Sequence, residues 1–91
     1  MVNLIVGKLY EVRPKKFPDN IAVIKVIDEH EYNYDTILLA YYDQPVVPDG
    51  HTVLPKSMPY NVKEIQHSDL VLYISMPYVS HKVRKLFKGA L

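Results

Sequence analysis

The stretch Tyr34–Asp43, reading Tyr-Asp-Thr-Ile-Leu-Leu-Ala-Tyr-Tyr-Asp, most restricts what this chain can become. It is rich in β-branched and aromatic residues and holds neither glycine nor proline, so an extended strand is expected. Alternation along that strand places Ile37, Leu39 and Tyr41 on one face and Thr36, Leu38, Ala40 and Tyr42 on the other. Both faces are largely apolar. Such a strand needs cover on two sides and is expected inside a sheet, not at its edge.

The flanking sequence supplies the neighbours. Ile21–Asp28 reads as a second strand, with Ala22, Ile24 and Val26 on one face and Ile21, Val23, Lys25 and Ile27 on the other. The polar run Glu29–Asn33 returns the chain, and so short a link favours an antiparallel hairpin. Before it, Leu4–Arg13 reads as a first strand bent at Gly7, followed by the turn Pro14–Asn20. After it, Val47-Pro48-Asp49-Gly50-His51 carries a second turn signal, since proline presets φ and Gly50 tolerates a left-handed conformation. His51–Pro55 then reads as a short strand, Lys56–Asn61 as one 3₁₀ turn and Val62–Ile65 as a further strand.

The succession Val53-Leu54-Pro55-Lys56-Ser57-Met58-Pro59-Tyr60-Asn61-Val62-Lys63-Glu64-Ile65 resembles the end of SH3-like small β-barrels, where a strand, a Pro/Ser/Tyr turn and a last strand follow one another. The resemblance is one of element order and covers about residues 7–65. It implies a mainly β fold, a small SH3-like antiparallel barrel of five or six strands. Eukaryotic SH3 domains bind proline-rich peptides with a Trp and an early Ala-Leu-Tyr-Asp-Tyr-like run. This chain has no Trp, and Tyr41-Tyr42-Asp43 falls in another element, so that activity is not implied.

Residues 66–91 extend the barrel. Leu70–Ile74 reads as a sixth strand, interrupted before Pro77. Ser80 suits a helix N-cap, and Val83, Leu86, Phe87, Ala90 and Leu91 form one apolar stripe, with Lys82, Arg84, Lys85 and Lys88 around it and Gly89 able to end it. So short a helix does not persist alone in water. The second apolar face of strands two and three is its expected receptor, which makes residues 1–91 one domain.

Composition removes several chemistries. With no cysteine there is no disulfide framework, thiolate metal site or cysteine nucleophile, and a reducing, cytoplasmic location is the expectation. Met1–Val6 is too short for a signal peptide or membrane span. His30, His51, His67 and His81 show no metal-ligand spacing, and Glu29 and Glu31 point away from His30 on a strand, so all four are read as surface residues and neither metal nor cofactor is expected. Acid/base pairs among Asp28, Glu29, Glu31 and Asp35 are defined only by distance in space. Three scattered glycines make no phosphate loop, and no serine sits in a nucleophile elbow. The chain therefore reads as non-enzymatic.

Charge is segregated. Residues 1–18 carry four cations against one anion, residues 19–49 seven acidic groups against one lysine, and residues 50–91 six cations against two anions. Such a pattern steers an oppositely charged partner or a second copy of the chain. Eight tyrosines exceed what a core of this size can enclose with every hydroxyl satisfied. Tyrosine is favoured at protein interfaces, so a protein-interaction module, a small regulator or inhibitor, is the first functional expectation. Tyr32, Tyr34, Tyr42, Tyr78, Lys82, Arg84 and Lys85 are its candidate partner contacts. The profile is similar to that of small viral proteins that bind and redirect host enzymes. A nucleic-acid-binding barrel is the alternative, through Lys15, Lys16, Lys82, Arg84, Lys85 and Lys88. A homo-oligomeric structural subunit is the third.

Overall fold

The computed structural model describes residues 3–42 and 50–87. It is mainly β: β1 (Leu9–Pro14), β2 (Ala22–Glu29), β3 (Asn33–Tyr41), β4 (His51–Pro55), β5 (Tyr60–Ile65), a 3₁₀ helix (His67–Tyr73), β6 (Tyr78–Val79) and a short α1 (His81–Leu86). All strand pairs are antiparallel. The order is β4-β3-β2-β1-β5, with β6 also paired to β3. Consecutive strands form a meander, and β5 returns to pair with β1, Leu9 opposite Ile65 and Pro14 opposite Tyr60. No ladder joins β4 to β5 among the described residues, so the hydrogen-bonded sheet is open at these two edges.

The expected hairpin forms, and both its sides are covered. On one side Tyr10, Val12, Ile24, Val26, Tyr34, Leu38 and Tyr60 pack with Leu4 from the N-terminal segment. On the other, Leu9, Val23, Ala40 and Ile65 are roofed by Leu70, Val79 and Val83. Two register shifts decide which residue faces which core. Val23 lies opposite Ala40 but Ile24 opposite Leu38, leaving Leu39 as an extra residue in β3. Ile27 is likewise extra in β2, between the pairs Val26–Thr36 and Asp28–Asp35. An extra residue reverses the parity of a strand. Leu38 and Ala40, expected on one face, therefore enter opposite cores, and Tyr41 packs with Leu38 instead of Leu39.

Other expectations are corrected. The first strand starts at Leu9, not Leu4. Gly7 takes φ +92°, a conformation that only glycine enters freely, and donates its amide to the Val26 carbonyl at 2.8 Å. The reversal there lets Leu4 plug the first core. Lys56–Asn61 forms no 3₁₀ helix: one i→i+3 turn closes with the Met58 amide donating to the Pro55 carbonyl at 3.4 Å, and β5 already begins at Tyr60. Leu70–Ile74 is not a sixth strand. The run from His67 is a 3₁₀ helix, whose start is fixed by the Gln66 amide donating to the Asp69 carboxylate at 2.8 Å. A short apolar run suits a buried helical turn as well as a strand, and here Leu70 and Ile74 are the residues it buries. The sixth strand is the dipeptide Tyr78–Val79, which adds to the end of β3 opposite Ala40 and Tyr41.

Ser80 caps α1 as expected: its hydroxyl accepts the Val83 amide at 3.4 Å. Val83 is buried and Phe87 half-buried, but Leu86 of the same stripe is 60% exposed. The expected contributions of Asp43, the Pro48–Asp49 turn, Lys88, Gly89, Ala90 and Leu91 lie outside the described residues.

Candidate partner-binding groove

Among the described residues the second core is incompletely roofed. Between the sheet and the 3₁₀ helix and α1 lies a cavity of about 460 Å³, within the usual range of ligand pockets, about 300–1,000 Å³. Leu9, Ile37, Leu39 and Ile65 supply apolar lining from the sheet; Leu70, Val83 and Leu86 supply it from the helices. Leu39 reaches this groove because the β3 register shift frees it from opposing a β2 residue. Its carbonyl accepts the Ser80 amide at 2.6 Å, which sets α1 over the floor.

Lys8, Lys25 and Lys82 line the same groove, along with His67 and, among the described residues, a single carboxylate, Glu64. Glu64 pairs with Lys8 at 3.3 Å. Lys25 and Lys82 make no ion pair among the described residues. The groove thus combines an apolar floor with uncompensated positive charge, a chemistry that takes apolar groups accompanied by carboxylates. Lys25 is the lone cation in the apolar run Ile21–Ile27, and that was its only visible signal in the sequence. Lys8 and Leu39 gave none, because their places depend on the turn at Gly7 and on the bulge.

The candidate contacts named from sequence scatter. Lys82, Arg84 and Lys85 are exposed on α1, and Lys82 alone of them lines the groove. Tyr34 is not a surface residue: it is 1% exposed, its hydroxyl accepts the Leu4 amide at 3.0 Å, and the Lys56 ammonium sits 4.9 Å from its ring centre. Its alternation with Thr36 and Leu38 turns it inward. Tyr32 is 72% exposed at the tip of the β2–β3 hairpin. Tyr42, its ring 5.0 Å from that of Tyr41, and Tyr78 are half-buried at the far end of β3. One strand length, about 30 Å for ten residues, separates Tyr32 from Tyr42. The tyrosines therefore form no single patch. Lys15 and Lys16 are exposed, but they follow the Pro14 end of β1, whereas the groove lies at the Leu9 end. The two basic groups expected to share a polyanion are thus about 15–20 Å apart along β1. Lys88 lies outside the described residues.

All four histidines are exposed, as expected. His30 does meet carboxylates, though not Glu29 and Glu31. Its Nε2 lies 2.7 Å from Asp35 Oδ2 and 3.8 Å from Asp28 Oδ2, because the bulge at Ile27 sets Asp28 opposite Asp35. The hydrogen bond with Asp35 and its charge hold the imidazole pKa above its usual value, with a smaller contribution from Asp28. Among the described residues these three could hold a metal ion, their ligand atoms lying within 4.8 Å of one another. As they stand, they form an ion-paired cluster at the hairpin end.

On the β1 side, Glu11 accepts the Tyr73 hydroxyl at 3.2 Å and pairs with Arg13 at 3.3 Å. This contact ties the 3₁₀ helix to the sheet and fixes one wall of the groove. Burial chiefly, then the Glu11 charge, raises the Tyr73 pKa. No helix among the described residues is long and apolar enough to cross a membrane. The chain matches no protein-family model, and comparison with curated proteins and with solved structures likewise finds no match.

Proposed function

We propose that the protein is a non-enzymatic interaction module, built on an SH3-like strand order, that binds another protein through the groove beneath α1. Its occupant is a segment carrying apolar side chains flanked by carboxylates. The observation that carries this reading is the conjunction of the apolar floor with Lys8, Lys25 and Lys82 at one cavity. Apolar burial supplies the affinity of such a site and the lysines its selectivity and on-rate. The exposed Arg84 and Lys85 extend the positive charge along α1 and steer the same partner.

The test uses three probes: a peptide alternating leucine with aspartate and glutamate, the same peptide with asparagine and glutamine, and a single-stranded oligonucleotide. Amide chemical shifts of the ¹⁵N-labelled protein report where each binds. The acidic peptide is expected to move Leu9, Leu39, Ile65 and Val83, and the neutral peptide to bind at least tenfold more weakly, about 1.4 kcal/mol. Absence of groove shifts with the acidic peptide overturns the reading. Preferential binding of the oligonucleotide to Lys82, Arg84 and Lys85 overturns it in favour of nucleic acid.

A further inference from the structure

The chain itself carries a segment of the chemistry that the groove selects. The β2–β3 hairpin ends in Glu29-His30-Glu31-Tyr32. Tyr32 projects at its tip, 72% exposed. Its neighbour Glu31 is exposed and makes no ion pair among the described residues. Glu29 is paired with Lys56 at 2.7 Å, and Asp35 with His30 at the same distance, so Glu31 is the free carboxylate nearest the ring. The tip is well braced: the His30 amide donates to the Asn33 carbonyl at 2.8 Å and the Lys56 amide to the Tyr32 carbonyl at 2.9 Å. A preformed aromatic anchor with an adjacent carboxylate loses little conformational freedom on docking.

We infer that the hairpin tip of one copy, Tyr32 with Glu31, docks in the groove of a second copy, Tyr32 on the apolar floor and Glu31 against Lys25 and Lys82. This rests on the groove reading proposed above. Intramolecular docking is ruled out by the ladder. Lys25 and Ile37 are cross-strand partners within the groove floor, and the tip lies further along the same rigid hairpin, about 15–20 Å away. The contact pairs two different surfaces; joined head-to-tail, two copies keep one free groove, on the copy that gave its tip, and one free tip, on the other. Self-association then competes with any acidic partner for the groove, and the partner's binding becomes dependent on protein concentration.

Two double variants test this, each altering exposed residues on one surface. Glu31→Lys with Tyr32→Ala removes the tip; Lys25→Glu with Lys82→Glu removes the groove. The wild type is expected to associate with rising concentration in analytical ultracentrifugation, and to dissociate as salt rises from about 0.05 to 0.5 M. Each variant alone is expected to stay monomeric with an unchanged melting curve. Their equimolar mixture is expected to form a one-to-one heterodimer and nothing larger, because only one productive tip and one productive groove remain. A wild type that is monomeric to about 1 mM, a variant that still associates, or a mixture that stays monomeric overturns the inference. The acidic-peptide titration separates this failure from that of the groove itself: a wild type that binds the peptide yet stays monomeric overturns only the self-docking.

Discussion

The Leu39 carbonyl accepts the Ser80 amide at 2.6 Å, joining the extra residue of β3 to the N-cap of α1. One local irregularity thus serves two ends: it turns Leu39 toward the groove and anchors the helix that bounds it. Ser80 and Val83 are both buried, so the Val83 amide has no water to turn to when the capping hydroxyl is removed.

Ser80→Ala is therefore expected to destabilise the protein by about 1–2 kcal/mol, read from urea unfolding. Ser80→Pro also removes the amide that bonds Leu39, and is expected to cost more and to raise binding of an apolar dye as the second core loses its roof. A Ser80→Pro protein as stable as Ser80→Ala would show that the backbone bond to Leu39 holds nothing in place.

Lys25→Glu with Lys82→Glu is expected to abolish binding of the acidic peptide while changing stability by no more than about 0.5 kcal/mol per site, as for other exposed substitutions. Titration calorimetry and a thermal melt on the same sample check both halves. Arg84→Glu with Lys85→Glu, outside the groove lining, is expected to slow association without abolishing the complex.

Two buried tyrosines are expected to answer oppositely to the same change. Tyr34→Phe strands the Leu4 amide and should cost about 1–2 kcal/mol. The Tyr60 hydroxyl is buried without a hydrogen-bond partner among the described residues. Tyr60→Phe should therefore be neutral or stabilising by up to about 1 kcal/mol. Equal losses in the two variants would contradict this assignment.

Alkaline pH is expected to weaken the fold. The Tyr60 and Tyr73 pKa values are both raised, chiefly by burial, so the folded state holds these protons more tightly than the unfolded chain. Their contribution is whole below the ordinary phenol value of about 10 and is lost as pH rises through the raised values. Urea midpoints between pH 8 and 11 should fall above pH 10, and Tyr73→Phe should flatten the decline. The same substitution should cost about 1 kcal/mol at neutral pH, where the hydrogen bond to Glu11 is intact.

His30 titrates by the same logic in another window. Its bond to Asp35 raises the imidazole pKa, so its contribution is complete below about pH 6.5 and fades as pH rises through the raised value. The His30 ring resonances should titrate above the usual value and move back toward it in Asp35→Asn. An unmoved titration in that variant would place the cause elsewhere.

Much of the sheet was legible because Ile21–Asp28 and Tyr34–Asp43 are rich in β-branched or aromatic residues and free of glycine and proline, and the short polar turn Glu29–Asn33 favours joining the two as an antiparallel hairpin. The capping role of Ser80 was legible too, since caps are local. Leu70–Ile74 misled because a short apolar run does not distinguish a buried strand from a buried helical turn. The groove was not legible at all. Lys8, Lys25 and Lys82 stand far apart in the chain and meet only through the turn at Gly7, the β2 register and the docking of α1.

By itself the sequence determined that the middle hairpin carries apolar residues on two faces, and hence that both must be covered, because burying such surface is the main favourable term in folding. Only the tertiary structure decided which residues go to which side. A single extra residue at Leu39 reverses strand parity, sending Leu38 and Ala40 into opposite cores, and no local propensity marks where that residue falls.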